Sequence, residues 1–448
     1  MASFKAKERL LRRYLLWKAR PGRLRRSLAK AAGRSGMAEG VDTKATTIGS
    51  TFTVAAVQLR AKLFADPVEY AAEMHRWVAE ARLAGAELVV FPEYNNLQLL
   101  GMLPGVEEMA AGVFGGASGA VNGRAAGRSP DPVAGGDSPD RPVDGDLPDP
   151  AAAGGSRDRA AGGYSAGDDR SSRPADISVA GVFRYIGPVA ERIVHTTFSW
   201  LAARYRVHIA GGSFLLPDGE RLVNRAMLFS PDGMLIGTHD KVHLMPVEHT
   251  WGIDAGADFP VFHTDLGPIA TPVCMDATFS ETFRILELKG ARVAALPIAD
   301  AAEYNRWLAL RGIVPRVQES LLYGVKSALV GSVLGVRFTG RSGIFAPVAL
   351  TPDGDGVLAE AADPEDAGLV TAEVDLAALE RLRESYEHRD FNPSLHARYF
   401  PKVYERAPAR TTEVCYHRAG SESNAPRGSG RAGGTHTPPG ELGQRRSK

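Results

Sequence analysis

Two Pro-Asp-Gly triplets, Pro217–Gly219 and Pro231–Gly233, punctuate three β-type runs, Val207–Leu216, Val223–Phe229 and Leu235–Lys241. Proline presets φ early in a turn and glycine tolerates a left-handed position, so each triplet reads as a hairpin turn and the three runs as an antiparallel meander. Elsewhere the chain has a different logic. The apolar run Phe52–Leu59 is followed by a helical pattern over Pro67–Leu83 and by the strand Glu87–Phe91, stopped by Pro92, which suggests an α/β unit with parallel pairing. One doubly wound sheet does not accommodate the meanders. Two sheets packed face to face with helices outside accommodate both patterns.

Further helices are expected at Val189–Tyr205 and around Pro315–Tyr323, with strands at Val293–Ile298, Ser327–Val333, Gly343–Ala349 and Gly368–Val374. Between residues 105 and 180 apolar periodicity is absent and Gly, Ala, Pro, Asp and Ser dominate. Such a stretch buries too little surface to offset its ordering entropy, so it is expected to be a disordered insertion, with a mobile lid as the alternative. The tail, residues 406–448, has similar composition.

Net charge is +1, but residues 1–36 carry twelve Lys/Arg against Glu8, leaving −10 on the remainder. The basic arm, residues 1–48, is expected to be unstructured. A short amphipathic helix on an anionic surface, a transit peptide, or initiation at Met37 are the other readings. An acidic body does not suggest nucleic-acid binding. No apolar run approaches the roughly 18 residues of a membrane span, and two cysteines, Cys274 and Cys415, make no disulfide framework, so a cytoplasmic protein is expected.

The chemistry centres on Gly267-Pro-Ile-Ala-Thr-Pro-Val-Cys274-Met-Asp276, an apolar run ending in a cysteine, then a turn and an amphipathic helix through Phe279, Phe283 and Leu286 to Gly290. A thiol at a strand end with helical N–H groups beyond it has surroundings that favour a thiolate and an oxyanion. A lone cysteine is more often a buried apolar side chain, so its companions decide. Glu93, directly after a buried strand in Val89-Val-Phe-Pro-Glu93-Tyr94, is placed as a general base would be. Lys241 follows a strand and suits an oxyanion, and Glu248 stands seven residues on. Taken singly, these are an exposed loop Glu and a surface ion pair. His239, His243 and His249 come without an HExxH or CxxC pattern, so no metal and no cofactor is expected.

Phe-Pro-Glu93, Lys241-Val-His-Leu, and Cys274-Met-Asp followed by Phe279, Glu281, Arg284 and Gly290-Ala resemble the nitrilase superfamily of carbon–nitrogen hydrolases. Val54-Ala-Ala-Val-Gln58, Arg316-Val-Gln-Glu319 and Gly340-Arg-Ser342 add to the resemblance, which covers about residues 52–104 and 182–378. It implies an α/β fold, the four-layer α-β-β-α sandwich, in a domain spanning 49–405 around the insertion. It also implies a Glu93–Lys241–Cys274 triad, with Glu248 supporting Lys241 and the Met275 N–H sharing the oxyanion. Tyr94, Trp251, Met275, Tyr304 and Trp307 are candidate substrate contacts. Asn96-Leu-Gln-Leu-Leu100 and Pro246–Ile253 look most like a branch sometimes fused to an N-acetyltransferase, for which residues 1–50 are too few.

The implied activity is hydrolysis of an amide or nitrile through a Cys274 thioester by a homodimer or larger homo-oligomer. A catalytically silent binding or scaffold protein and an amide-forming acyltransferase are the alternatives.

Overall fold

A computed structural model describes residues 2–34, 51–108, 178–386 and 392–406. In chain order the helices are α1 (Ala2–Lys18), α2 (Pro21–Arg34), α3 (Pro67–Leu83), α4 (Val179–Tyr205), α5 (Pro246–Thr250), α6 (Ser280–Leu288), α7 (Arg306–Ser320), α8 (Leu376–Ser385) and α9 (Pro393–Arg406). The strands are β1 (Thr51–Arg60), β2 (Ala86–Val90), β3 (His208–Asp218), β4 (Arg221–Phe229), β5 (Leu235–Asp240), β6 (Val261–Thr264), β7 (Gly267–Ala270), β8 (Val293–Ile298), β9 (Tyr323–Val333), β10 (Val336–Phe338), β11 (Gly343–Phe345), β12 (Val357–Glu360) and β13 (Gly368–Asp375).

The strands form two half-sheets. The first runs β13-β1-β2-β3-β4-β5 and the second β12-β11-β9-β8-β7-β6, joined at one corner where Leu59 and Arg60 of β1 pair in parallel with Leu329 and Val330 of β9. Each half has a parallel centre (β1-β2-β3 and β7-β8-β9) flanked by antiparallel strands. The meander β3-β4-β5 is antiparallel, as its turn residues require.

Strand alternation sorts the side chains into layers. From the first sheet Val54, Ala56, Leu88 and Val90 meet Ile269, Val293, Ala295 and Val325 of the second in a common core. The intervening residues Ala55, Val57 and Val89 pack beneath α3 and α4 through Met74, Trp77, Ile193 and Phe198. On the other outer face Ala294, Leu296 and Phe345 pack beneath α6 and α7 through Phe283, Ile313 and Val317. Helix, sheet, sheet, helix is the four-layer α-β-β-α sandwich.

Some boundaries differ from those read in the sequence. α4 begins ten residues before Val189 and α7 nine before Pro315, because each contains a proline (Pro188, Pro315) that looks like a stop in a linear reading. The short strands β6, β10 and β12 carry too few residues for a pattern. The chain divides into two compact units, Met1–Phe391 and Asn392–Lys448, the second containing α9. Most of the 105–180 insertion, the tail beyond 406 and Cys415 lie outside the described residues. Among the described residues no helix is long and apolar enough to cross a membrane.

The largest correction is at the N-terminus. Residues 2–34 are not an unstructured arm but a helical hairpin, α1–α2, docked on α3 and α4. Leu15, Ala19, Leu24, Leu28 and Ala32 are buried, the first four in the same core as Met74 and Phe198. Arg23 donates to both carboxylate oxygens of Asp66 (3.1 and 2.7 Å), and Asp66 in turn accepts from the Val68 N–H (2.9 Å) as the N-cap of α3. The basic residues hid an apolar stripe at helical spacing. Leu24→Ala should therefore cost about 2–5 kcal/mol, read as a lower urea midpoint; an unchanged midpoint would mean the hairpin does not dock.

Candidate active site

Cys274 stands where β7 has ended and a single 3-10 turn, Cys274–Thr278, begins. Its φ is 46°, in the left-handed region, which costs a non-glycine residue on the order of 1–2 kcal/mol. Asp276 holds that conformation. Its N–H donates to the Val273 carbonyl (2.9 Å), while its Oδ2 accepts from the Val273 N–H (2.9 Å), so the cysteine is bracketed from both sides. The same carboxylate accepts from the N–H groups of Val242 (3.2 Å) and His243 (2.8 Å) and pairs with His239 Nε2 and His243 Nδ1, both at 3.1 Å. Burial would raise the Asp276 pKa, but the two histidines and these peptide donors reverse that and hold it well below the usual carboxylate range. The segment after β5, which carries Lys241, is thereby fastened to the turn that carries Cys274.

Glu93 follows β2 and is fully buried. Its Oε1 accepts from Lys241 Nζ and from Asn224 Nδ2, both at 2.8 Å, and its Oε2 accepts from the Ala299 N–H at 3.0 Å. The Cys274 sulfur lies close enough to Glu93 and to the same Ala299 peptide for both to act on its proton. Lys241, 1% exposed, also contacts Glu248 Oε2 at 2.7 Å. Glu248, on α5, accepts from the Met245 N–H (2.7 Å), the Tyr94 hydroxyl (2.6 Å) and Asn224 Nδ2 (3.1 Å). Glu93, Tyr94, Asn224, Lys241 and Glu248 thus share one buried network.

Two glycines permit this approach. A Cβ on Gly212 (φ 85°) would fall 2.0 Å from the Pro92 carbonyl oxygen, just before Glu93. A Cβ on Gly256 would fall 2.0 Å from the Asp240 carbonyl oxygen, just before Lys241.

Burial pushes the Glu93 pKa up; Lys241 opposes the rise and Glu248 adds to it, leaving the carboxyl above its ordinary value. For Lys241 burial acts downward, but the two carboxylates more than reverse it, so the ammonium is locked in its charged form. Burial and then Glu93 push the Cys274 thiol well up, with Lys241 opposing. Burial thus works against the thiolate that the strand-end position favours. α6 begins only at Ser280, so its dipole does not start at the sulfur. The arrangement can move a proton from sulfur to Glu93 while holding negative charge on a bound oxygen beside Lys241.

Among the candidate substrate contacts, Tyr94 is buried with its ring 6.2 Å from that of Trp251, and both line an apolar pocket with Leu97, Phe183, Leu215 and the β9–β10 turn. Met275, half-buried, follows Cys274 directly. Tyr304 and Trp307 are elsewhere. Tyr304 lies under the Arg341 guanidinium (5.3 Å), and Trp307, 77% exposed, is on the first turn of α7, capped by Asn305. The early start of α7 turns Trp307 outward. Sequence reasoning missed Asn224 and Asp276 as site residues. A buried-strand Asn between Val223 and Arg225 and an Asp two residues past the cysteine are the available signals. Among the described residues no group of His, Cys, Asp and Glu is arranged to hold a metal ion.

Comparison with known proteins agrees with this architecture. The carbon–nitrogen hydrolase family matches residues 188–384. A probable hydrolase of Bacillus subtilis is 34% identical over 195 residues, 42% of this chain and 37% of its own, so the chain spans little more than a third of that relative. A probable nitrilase of Schizosaccharomyces pombe is 30% identical over 210 residues, 45% of this chain and 72% of its own. In fold, a double mutant of the amidase from Nesterenkonia sp. AN1, solved with acrylamide, is similar with a TM-score of 0.50 and 17% identity, over 80% of this chain and 100% of that one. The chain belongs to the carbon–nitrogen hydrolase family, the nitrilase superfamily.

Proposed function

We propose that the protein hydrolyses a non-peptide carbon–nitrogen bond of an amide-type substrate through a thioester on Cys274. The observation that carries this reading is that Glu93, bonded to Lys241 in a buried network, stands beside the Cys274 sulfur at the strand end.

Glu93 takes the thiol proton as Sγ bonds to the amide carbon. The carbonyl π pair moves to oxygen, where Lys241 Nζ and the Met275 N–H receive the charge. The proton on Glu93 passes to the departing nitrogen, the C–N bond breaks, and ammonia or an amine leaves a thioester. Water then loses a proton to Glu93 as it attacks, the C–S bond breaks, and the proton returns to sulfur, releasing the acid. A raised Glu93 pKa suits a group that must both accept and give that proton near neutrality. Glu248 and Asn224 keep Lys241 and Glu93 in place, and Tyr94, Trp251 and Met275 face the substrate.

This chemistry needs a reduced Cys274, which fits the cytoplasm. A homodimer or larger assembly is supported by apolar residues exposed on neighbouring helices: Leu288 at the end of α6 and Trp307 and Leu308 at the start of α7.

Cys274→Ala should lower ammonia release from a responsive amide by on the order of 10⁴-fold or more; retained turnover removes the mechanism. As Glu93 must be ionised to act, kcat/KM should fall as pH drops through its raised pKa. The acid limb of the profile is therefore expected above the ordinary carboxylate range, and a limb within that range counts against Glu93 as base. Asp276→Asn, which places an amide among five donors, should cost about 3 kcal/mol of stability and lower kcat/KM as well. Equal denaturant midpoints for the two proteins would show that the bracket around Cys274 is dispensable.

A further inference from the structure

A second set of buried polar groups lies outside the hydrolytic network. Lys326 on β9 is 2% exposed, and its Nζ has no hydrogen-bond partner among the described residues. It stands over the Phe345 ring, 5.0 Å from the centroid. Three further atoms that share its surroundings are likewise sealed and unpartnered: the Tyr304 hydroxyl, Arg341 Nε and Glu360 Oε1. Among the described residues the other oxygen of Glu360 is reached only at long range, by Arg306 (3.5 Å) and Arg341 (3.6 Å). Strand register sets the arrangement, since Gly343 pairs with Lys326 on one side and Glu360 on the other, so the two side chains rise from the same face.

Buried polar atoms in folded proteins nearly always have partners, and an unpaired buried ammonium is among the costliest exceptions. Burial, with Arg341 and Arg306 nearby and Glu360 opposing, holds the Lys326 pKa down to about 8. The cluster is short of negative charge, with Lys326, Arg306 and Arg341 facing Glu360 and Asp300, and Asp300 already accepts from the Ala302 N–H. Three of the four orphan atoms are donors. Arg306 and Arg341, with side chains 48% and 26% exposed, form a rim open to solvent.

We propose that Lys326, Arg341 and Tyr304 form a recognition site for a compact carboxylate group. A carboxylate supplies the acceptors these donors lack, while Glu360 Oε1 is left to accept from a neighbouring N–H or O–H of the same ligand. The site adjoins the hydrolytic network through one segment. Ala299, whose N–H binds Glu93, is three residues beyond Leu296, the pairing partner of Lys326. At about 3.3 Å per residue and 4.8 Å between strands, the backbones of Ala299 and Lys326 are about 11 Å apart. The carboxylate is then either the far end of an amide substrate, a source that rests on the proposed function, or a separate small acid, which does not.

Calorimetric titration of the full-length protein with sodium succinate and sodium glutarate tests the site without turnover, using neutral succinamide as control. The expected result is saturable binding of a dicarboxylate, at least tenfold weaker in Lys326→Met and in Arg341→Gln, with no binding of the diamide. Lys326→Met, similar in length and uncharged, should hold or raise the melting temperature; Arg341→Gln, at the rim, serves if it does not fold. Hydrolysis of succinamate or glutaramate in preference to butyramide, with KM raised at least tenfold in Lys326→Met and kcat little changed, assigns the carboxylate to the substrate. Binding without that preference assigns it to a separate acid. Absence of saturable binding to the wild type, or binding by both variants as tight as the wild type's, overturns the site whether or not the protein is an amidase.

Discussion

The structure depends on one buried ammonium. Lys241 sits between two carboxylates with almost no exposure, at 2.8 Å from Glu93 and 2.7 Å from Glu248. Removing one charge from water costs several kcal/mol, and the cost is recovered only where partners are close and their remaining lone pairs are satisfied. Here they are. Asn224, Tyr94, and the peptide N–H groups of Ala299 and Met245 complete both carboxylates. Each donor comes from a different part of the chain, so the charge cluster ties β4, α5, the end of β2 and the end of β8 to one point.

That constraint explains why the site lies where the strands end. Parallel strands present their C-terminal ends together, and Glu93, Cys274 and Ala299 each follow a strand of a parallel set, β2, β7 and β8. Asp276 then links the cysteine turn to the segment after β5. Without it the left-handed Cys274 would relax, and Lys241 and the sulfur would lose their common reference. Stability and placement of the reactive group are in this region the same set of bonds.

Much of this was legible in the sequence, for physical reasons that can be named. β1, α3, β2 and β8 were marked by apolar periodicity with clear stops, and β3-β4-β5 by their turns. Glu93, Lys241 and Cys274 stood out because each is a polar residue just beyond an apolar run. The N-terminal hairpin was obscured because twelve basic side chains dominate a segment whose buried face is only a Leu/Ala stripe. Asn224 and Asp276 read as ordinary strand and turn residues, since their importance lies in contacts made across the fold. Pro315 concealed the true start of α7, on whose first turn Trp307 stands exposed.

Glu93, on this reading of the site, governs the reactivity of Cys274. The rate of Cys274 alkylation by iodoacetamide against pH, followed by peptide mass spectrometry in wild type and Glu93→Gln, tests it most directly. A wild-type midpoint set by Glu93 and well below that of a buried thiol is expected, with the Gln variant, which has no carboxylate to take the proton, reacting far more slowly near neutrality. Superimposable profiles for the two proteins would contradict it.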